Sequence, residues 1–159
     1  CDLANYALSR NMDISFIEEM PLGEIDEHDR EAAFMPSEDV RSIIHQQYPI
    51  MPSDEKTAGP SRYWRFQDGH VGRIGFISPH SHNFCGDCNR VRVTAEGKLL
   101  LCLGNEHSVD LRAVAREFPG ELEPLKQKIR DAMKIKPERH YFNLAEEVKI
   151  LRFMNATGG

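Results

Sequence analysis

The chain has 159 residues, of which 40% are hydrophobic and 28% are charged, a composition that suits a globular protein with one sizeable core. Its formal net charge of −5 shows no basic excess, so we expect neither nucleic acid nor a membrane surface as a partner. The sequence shows no apolar run of membrane-spanning length and no signal-peptide pattern. These features predict a cytoplasmic protein, and in that reducing compartment clustered cysteines more often bind metal than form disulfides.

The first twenty residues predict a helix followed by a strand. Apolar residues recur at helical spacing over residues 2–10, and residues 12–20 alternate as a strand, with Ile14 and Phe16 on one face and Ser15 on the other. A helix followed by a strand is typical of a βα repeat. Because the sequence begins with cysteine in the middle of this pattern, we expect a fragment whose N-terminal part is missing.

The next part of the chain predicts one helix between two polar segments. Residues 21–31 have the composition of an acidic loop. Ser37 can cap a helix that continues to about Tyr48, where Pro49 would end it. Residues 51–61 have the composition of a linker.

A hairpin and two helices are predicted beyond this linker. The strand-like residues 62–66 and 71–77 are joined through Asp68-Gly69, a strong hairpin signal. Ser108 or Asp110 would begin a first helix. A second helix, over residues 121–135, is amphipathic and places on one face Leu122, Leu125, Ile129 and Met133.

Three of the four cysteines lie in one stretch, residues 84–103, which reads FCGDCNRVRVTAEGKLLLCL. Cys85 and Cys88 form a C-x2-C pair, a spacing at which two thiolates can hold one metal ion or two irons of a cluster. Glu96-Gly97 marks a turn, and reflection of Cys88 through that turn ends within a residue or two of Cys102. Hairpin geometry therefore predicts that the third thiol lies beside the first two.

Strand alternation after the second cysteine also places charge near the thiols. Residues two apart share a face of a strand, so Cys88, Arg90 and Arg92 should point to one side. Asn89, Val91 and Val93 should point to the other side, where the two valines are expected to be core residues. Two guanidinium groups beside a metal site would suit an anionic substrate, since each can grip phosphate oxygens with two hydrogen bonds.

The chemistry of three thiolates leaves two metals open. A structural zinc site needs a fourth ligand, which could be His80, His82 or His107. A four-iron, four-sulfur cluster with three cysteine ligands would instead keep one iron open for a substrate. Spacing alone does not choose between these alternatives.

The cysteine stretch resembles the C-terminal signature of the molybdenum cofactor biosynthesis protein A family, the radical S-adenosylmethionine enzymes called GTP 3′,8-cyclases. The family pattern is F-C-x-x-C-N-R-x-R, a glycine turn, and C-L thirteen residues after the second cysteine. FIEEMPLG, GPSRYWRF, GRIGFISP and the final Gly-Gly are also similar to family segments, so the resemblance covers nearly the whole chain. The matching residues of the signature are Phe84, Cys85, Cys88, Asn89, Arg90, Arg92, Gly97, Cys102 and Leu103.

The resemblance implies the residues of the site. Cys85, Cys88 and Cys102 would hold a [4Fe-4S] cluster whose open iron receives the guanine of GTP. Arg90 and Arg92 would contact the nucleotide. The C-terminal tail would enter the active site through Gly158 and Gly159.

Two departures from the family pattern accompany the resemblance. Ser15 stands where the family has an arginine that faces the barrel interior near the substrate, so one cation is lost. The C-x3-C-x2-C motif of the second, S-adenosylmethionine-binding [4Fe-4S] cluster is absent from the sequence. The chain alone is therefore not expected to be active, and a missing N-terminal radical half is an expected partner, beside GTP and a homodimer of the full enzyme.

The predicted fold class is α/β, as an α+β fragment. Residues 1–35 would be the terminal βα portion of an incomplete TIM-type barrel, and residues 36–159 an iron–sulfur and GTP-binding domain built on an antiparallel sheet with flanking helices. In a eukaryote the resemblance would imply a mitochondrial location. Two alternatives to this function stay open: a zinc-binding interaction module that uses Cys85, Cys88, Cys102 and a histidine, and a degenerate fragment without a function of its own.

Overall fold

The computed structural model of this protein describes residues 1–23, 27–140, 142–143 and 152–157. The chain divides into two compact units. The first unit comprises residues 1–20 and 32–84, and the second comprises residues 21–31 and 85–159 within the described ranges. None of the helices in those ranges has the length and apolar character that a membrane crossing requires. The predicted domain boundary after residue 35 stays a prediction.

The first unit is built on a four-stranded mixed sheet. Its elements are helix α1 (Asp2–Leu8), strand β1 (Ile14–Ile17), helix α3 (Ser37–Gln47) and strands β2 (Ile50–Pro52), β3 (Arg62–Phe66) and β4 (Arg73–Ile77). The boundary between the units falls inside the one-turn helix α2 (Arg30–Ala33). The strand order is β1-β4-β3-β2, with β1 parallel to β4 and the other pairs antiparallel. The predicted helix over residues 2–10, the strand after it and the later hairpin are confirmed.

One face of this sheet carries the core of the first unit. Alternation in β1 leaves Ile14 and Phe16 partly buried and Ser15 and Ile17 exposed, as predicted. The apolar residues of β1 and β4 pack with α1 and α3, because both helices turn apolar side chains to the sheet. The buried members of this cluster are Ala4, Leu8, Ile44, Ile50, Phe66, Ile74 and Phe76.

The opposite face of the sheet is polar. Arg73 lies between Asp13 and Glu55, with nitrogen–oxygen distances of 2.5 and 3.1 Å, and its guanidinium group lies 4.4 Å above the ring of Tyr63. Hydrogen bonds from Arg73 hold the pKa of Asp13 below its usual value. Ser15 is on the same face, and its hydroxyl is 2.8 Å from the hydroxyl of Ser61.

Two sequence predictions fail in the first unit. Ser37 does not cap α3: Pro36 occupies the cap position, and Ser37 is the first helical residue, with its hydroxyl bonded to that of Ser78 at 2.7 Å. Residues 51–61 are not wholly a linker, because Ile50–Pro52 forms β2. Pro52 is tolerated there because β2 is an edge strand and needs hydrogen-bond donors on one side only.

Glu18, just beyond β1, is a buried carboxylate that hydrogen-bonds to two other segments, and the sequence did not indicate this role. It is 3% exposed, and its carboxylate accepts hydrogen bonds from the N–H groups of Ser37 (3.0 Å), His80 (2.9 Å) and Ser81 (3.0 Å) and from the hydroxyl of Ser81. Burial acts to raise the pKa of Glu18, but these hydrogen bonds prevail and lower the pKa below 4.5. The carboxylate thus ties the end of β1 to the start of α3 and to the segment after β4.

Acidification should therefore destabilise the first unit through Glu18. Because its pKa is lower in the folded state, the ionised group contributes stability above about pH 4.5, and that contribution is lost as the pH falls through the folded-state pKa. Glu18→Gln should lower the free energy of unfolding near neutral pH by about 1–3 kcal/mol, since buried N–H groups lose an acceptor. Urea unfolding followed by the fluorescence of Trp64 measures this, and Glu117→Gln, at an exposed position, should leave both stability and its acid dependence unchanged.

The second unit contains a three-stranded antiparallel sheet and two helices. Its elements are a 3₁₀ turn (Cys85–Asp87), strands β5 (Arg92–Val93), β6 (Lys98–Leu100) and β7 (Ser108–Asp110), helices α4 (Leu111–Glu117) and α5 (Leu122–Lys134), and a 3₁₀ turn (Met154–Thr157). The strand order is β5-β6-β7. Of the two predicted caps for α4, Asp110 is the cap, since its carboxylate accepts the N–H of Ala113 at 2.8 Å, and Ser108 lies in β7.

The core of the second unit lies between β6 and the two helices. Leu99, Leu101, Leu111 and Ala132 are buried together, with Leu125 packed against them. The prediction that Val91 and Val93 are core residues is wrong, because they are 38% and 56% exposed. Strand β5 has only two residues and lies at the sheet edge, so nothing in the described part of this unit buries these valines.

The helix predicted over residues 121–135 is confirmed as α5, but its apolar face is only partly buried. Leu125 packs against the core, whereas Leu122, Ile129 and Met133 are 64%, 36% and 38% exposed. The overall prediction of a mixed α/β fold with an antiparallel sheet and helices is confirmed. The described residues form no barrel, and the assignment of residues 1–35 to a barrel stays a prediction.

Candidate metal centre

The C-x2-C pair is shaped by a short turn. Cys85 opens the 3₁₀ turn, and the N–H of Cys88 donates to the Cys85 carbonyl at 3.0 Å. Closing this turn brings the two ends of the motif together. Both side chains are half-buried and both thiols are free, so the pair is available for coordination.

The hairpin that follows returns the chain toward this turn. Arg92 pairs with Leu100 and Val93 with Leu99, and Gly97 takes the left-handed conformation (φ +79°) that the turn needs. Both strands end here, and the same register continued by two residues would set Arg90 opposite Cys102. The register thus agrees with the predicted hairpin, because the residue opposite Cys88 falls two positions from Cys102.

Cys102 is half-buried and electrostatically coupled to the other two thiols. Burial raises the pKa of Cys102, and negative charge at Cys85 and Cys88 raises it further. The N–H of Gly104, which donates to Cys102, and the ammonium group of Lys136 act in the opposite direction. Negative charge on one thiol thus disfavours ionisation of Cys102, and binding of an electrophilic metal would release the Cys102 proton.

A second group of residues, which the sequence did not indicate, supports the thiols. The backbone N–H of His140 points at the sulfur of Cys85, at 3.5 Å, and the rings of His140 and Phe142 lie 4.1 Å apart. Both side chains pack on Gly104, where a Cβ atom would meet His140 Cβ at 2.6 Å and Phe142 Cζ at 2.7 Å. Gly104, two residues after Cys102, was the one feature of the sequence that could have indicated this contact. His140 and Phe142 themselves lie in a segment of polar composition.

Burial alternates as predicted over residues 88–93, of which only Arg92–Val93 forms a strand, but the more buried side is the one with the arginines. Cys88, Arg90 and Arg92 are half-buried, whereas Asn89, Val91 and Val93 are exposed. The guanidinium groups therefore belong to the more enclosed side, where a charged ligand would be partly desolvated. The side chain of Arg92 makes no hydrogen bond or ion pair with any residue that the structure describes.

Of the three histidines considered as a fourth zinc ligand, only His107 lies in the same unit as the cysteines. His80 and His82 belong to the first unit, where the ring of His80 contacts the Glu19 carbonyl at 2.9 Å and lies against Phe34. His107 is exposed and is in the second unit. Over the described ranges, no three histidine, cysteine, aspartate or glutamate side chains form a group that could hold a metal ion. This includes Cys85, Cys88 and Cys102, so the gathering of the three thiols at one place stays a prediction.

The predicted tail residues Gly158 and Gly159 lie outside the described residues. The segment that precedes them is anchored in the second unit. The guanidinium group of Arg152 donates to the Asn105 carbonyl, and the ring of Phe153 lies on Gly23. Thr157 is 2% exposed, so the described tail ends in a buried position.

The contact between Gly23 and Phe153 gives a test of this anchor. A Cβ atom on Gly23 (φ +68°) would lie 2.4 Å from Phe153 Cδ1, whereas on Gly120 (φ +83°) it would meet nothing within 4 Å. Gly23→Ala should therefore lower stability by about 1–3 kcal/mol more than Gly120→Ala, although both alanines strain the backbone alike. Hydrogen exchange of the amides of residues 152–157 should speed up only in Gly23→Ala, and in a Phe153→Ala background the two alanine variants should become equivalent.

Comparison with known proteins identifies the relatives of this chain. The family model described as Molybdenum Cofactor Synthesis C matches residues 12–142. The chain belongs to the Molybdenum Cofactor Synthesis C family. The cysteine turn, the hairpin and both arginines lie inside the matched range, as do His140 and Phe142.

Three similar proteins from bacteria are all named GTP 3′,8-cyclase. The chain is 63% identical over 158 residues to the GTP 3′,8-cyclase of Saccharophagus degradans, with 99% of this chain and 47% of that protein covered. It is 58% identical to the GTP 3′,8-cyclase of Pseudomonas entomophila (99% and 47% covered) and 59% identical to that of Pseudomonas fluorescens (99% and 48% covered). The chain thus spans about half the length of the curated relatives it matches.

Proposed function

We propose that this chain is the C-terminal, substrate-side part of a GTP 3′,8-cyclase, which acts in the first step of molybdenum cofactor (molybdopterin) biosynthesis. The observation that carries the proposal is the hairpin register, with Arg92 opposite Leu100 and Val93 opposite Leu99, which continued by two residues would set Arg90 opposite Cys102. Thiols and guanidinium groups on the two sides of this hairpin would form a metal site that is also an anion site. High identity to named cyclases over 99% of the chain supports this assignment.

Cys85, Cys88 and Cys102 would hold a [4Fe-4S] cluster in this protein. The donor set fits in its chemistry, because the three thiols are free and half-buried, and Cys85 and Cys102 accept backbone N–H groups as cluster thiolates commonly do. With three protein ligands the cluster supplies one open iron, on which the guanine of GTP can be held. The chain's own part is to supply thiolates and to exclude water around them.

Arg90 and Arg92 would bind the anionic part of GTP. Both are half-buried in the segment that follows Cys88, and a guanidinium group matches two phosphate oxygens at once. Holding the nucleotide at two points fixes the orientation of its ribose, and such positioning can be worth several powers of ten in rate. The tail residues Gly158 and Gly159 would close over the bound nucleotide.

The complete reaction would need more than these 159 residues. In it the 3′ hydrogen of GTP is removed and C3′ bonds to C8 of the guanine, and the radical comes from S-adenosylmethionine. The C-x3-C-x2-C motif for that step is absent from this sequence, so activity would depend on an N-terminal radical half. Residues 1–35 would complete its barrel, and the full enzyme could pair as a homodimer.

Metal analysis with GTP binding tests the proposal. The chain, purified without oxygen and reconstituted with iron and sulfide, should carry about four of each per chain and should bind GTP only in that state. A chain that instead holds about one zinc ion, without sulfide, would be a zinc-binding module that uses Cys85, Cys88, Cys102 and a histidine. Equilibrium dialysis with GTP, before and after reconstitution, separates the two outcomes.

A further inference from the structure

The segment after α5 lies on the cysteine hairpin. His140 and Phe142 stack at a ring separation of 4.1 Å, and the N–H of Phe142 donates to the His140 ring nitrogen Nδ1 at 3.3 Å. This pair, the aromatic cap, packs on Gly104, two residues from Cys102. From the same residue the backbone N–H of His140 points at the sulfur of Cys85, at 3.5 Å. His140 and Phe142 thus lie against Cys85 and against Gly104, the residue two positions after Cys102.

We propose that the aromatic cap positions the cysteine ligands and modulates the group they hold. This proposal rests on the proposed function. His140 and Phe142 are not ligands themselves, but they have two tasks. The His140 N–H holds the Cys85 sulfur and stabilises negative charge on it. The stacked rings of His140 and Phe142 cover Gly104 and slow the access of water and small reagents to the thiols.

The physical basis is the charge on thiolate sulfur. An N–H group that donates to a ligating sulfur stabilises the more negative, reduced state, so its loss makes the bound cluster harder to reduce. Groups that hold metal ligands also affect retention, and their removal typically costs about 10–100-fold in metal affinity. His140 therefore acts through its backbone, and Phe142 through its ring.

Gly104 is the residue on which the cap depends. Its backbone is not in the left-handed region, so an alanine there strains no dihedral angle. The added methyl group would instead overlap His140 Cβ at 2.6 Å and the Phe142 ring at 2.7 and 2.8 Å. Gly86, inside the C-x2-C turn, also lacks a left-handed backbone, but a Cβ atom there meets nothing within 4 Å. Gly104→Ala and Gly86→Ala thus form a matched pair that differs in the contact with the cap.

The first experiment uses the full chain without metal, so it does not depend on the identity of the bound group. Iodoacetamide labelling, resolved by peptide mass, should modify Cys85 several-fold faster in Gly104→Ala than in the unsubstituted chain or in Gly86→Ala. Cys1, which is exposed, should react equally in all three and serves as the internal reference. Phe142→Ala should accelerate Cys85 as well. Equal Cys85 rates in all variants, with unchanged circular dichroism, would overturn the cap.

The second experiment separates the N–H group from the ring. His140→Pro removes the backbone donor, and His140→Ala keeps it. In reconstituted chains, His140→Pro should lower the midpoint potential and speed the loss of iron to a chelator, and His140→Ala should keep the potential of the unsubstituted chain. The same potential in both variants would exclude the N–H role. An unsubstituted chain that assembles no cluster would contradict the proposed function, and the labelling result would still decide whether the cap exists.

Discussion

Replacing Cys102 with serine is expected to remove most of the iron and sulfide that the reconstituted chain can hold. Cys102 is the only one of the three proposed ligands on the return side of the hairpin, so its loss leaves the Cys85–Cys88 turn without a facing thiolate. Iron and sulfide per chain, with visible absorption of the cluster, give the readout. Cys1→Ser is the control and should retain the full amount, because Cys1 is an exposed thiol of the first unit.

The same substitution distinguishes a ligand from a structural cysteine. Serine preserves the size of the side chain but is a poor ligand for iron, so the metal-free Cys102→Ser chain should have the stability of the unsubstituted chain within about 1 kcal/mol. A variant that kept its iron and sulfide would remove Cys102 from the site. Full metal loss with unchanged circular dichroism would assign the effect to coordination and not to misfolding.

The hairpin could be predicted because its turn and its spacing are local. Glu96-Gly97 sets the turn, and Gly97 takes the left-handed conformation that glycine adopts at little cost. Once the turn is known, the register follows from counting, and so does the return of Cys102. Asp110 was predictable for the same reason, since a cap involves only residues three apart.

The failed predictions depend on long-range packing. Alternation correctly placed Val91 and Val93 on the same side of the chain. Only the fold decides which side is covered, because β5 has two residues and lies at the sheet edge. Ser37 has the composition of a cap, yet its N–H bonds to Glu18, 19 residues away in sequence. The aromatic cap joins His140 to Cys85 across 55 residues, and neither periodicity nor a motif indicates such a contact.

Replacing Arg90 or Arg92 with alanine is expected to weaken GTP binding to the reconstituted chain. A charge-assisted contact to phosphate contributes about 1.5–3 kcal/mol, so each substitution should raise the Kd for GTP by about 10- to 150-fold. Equilibrium dialysis on chains of equal iron content gives the Kd. Arg116→Ala removes the same charge from the exposed side of α4 and should leave the Kd unchanged, which separates a direct contact from a general loss of positive charge.

Arg92 offers the cleaner of the two tests. Because its side chain makes no hydrogen bond or ion pair with the described residues, Arg92→Ala should leave the free energy of unfolding within about 0.5 kcal/mol of the unsubstituted value. Arg92→Lys keeps the charge but not the planar pair of donors, so an intermediate Kd would show that two hydrogen bonds reach the ligand. If Arg92→Lys bound GTP as tightly as arginine, charge alone would account for binding. If Arg92→Ala did so, Arg92 would not contact the nucleotide, and the half-buried side of the strand would need another occupant.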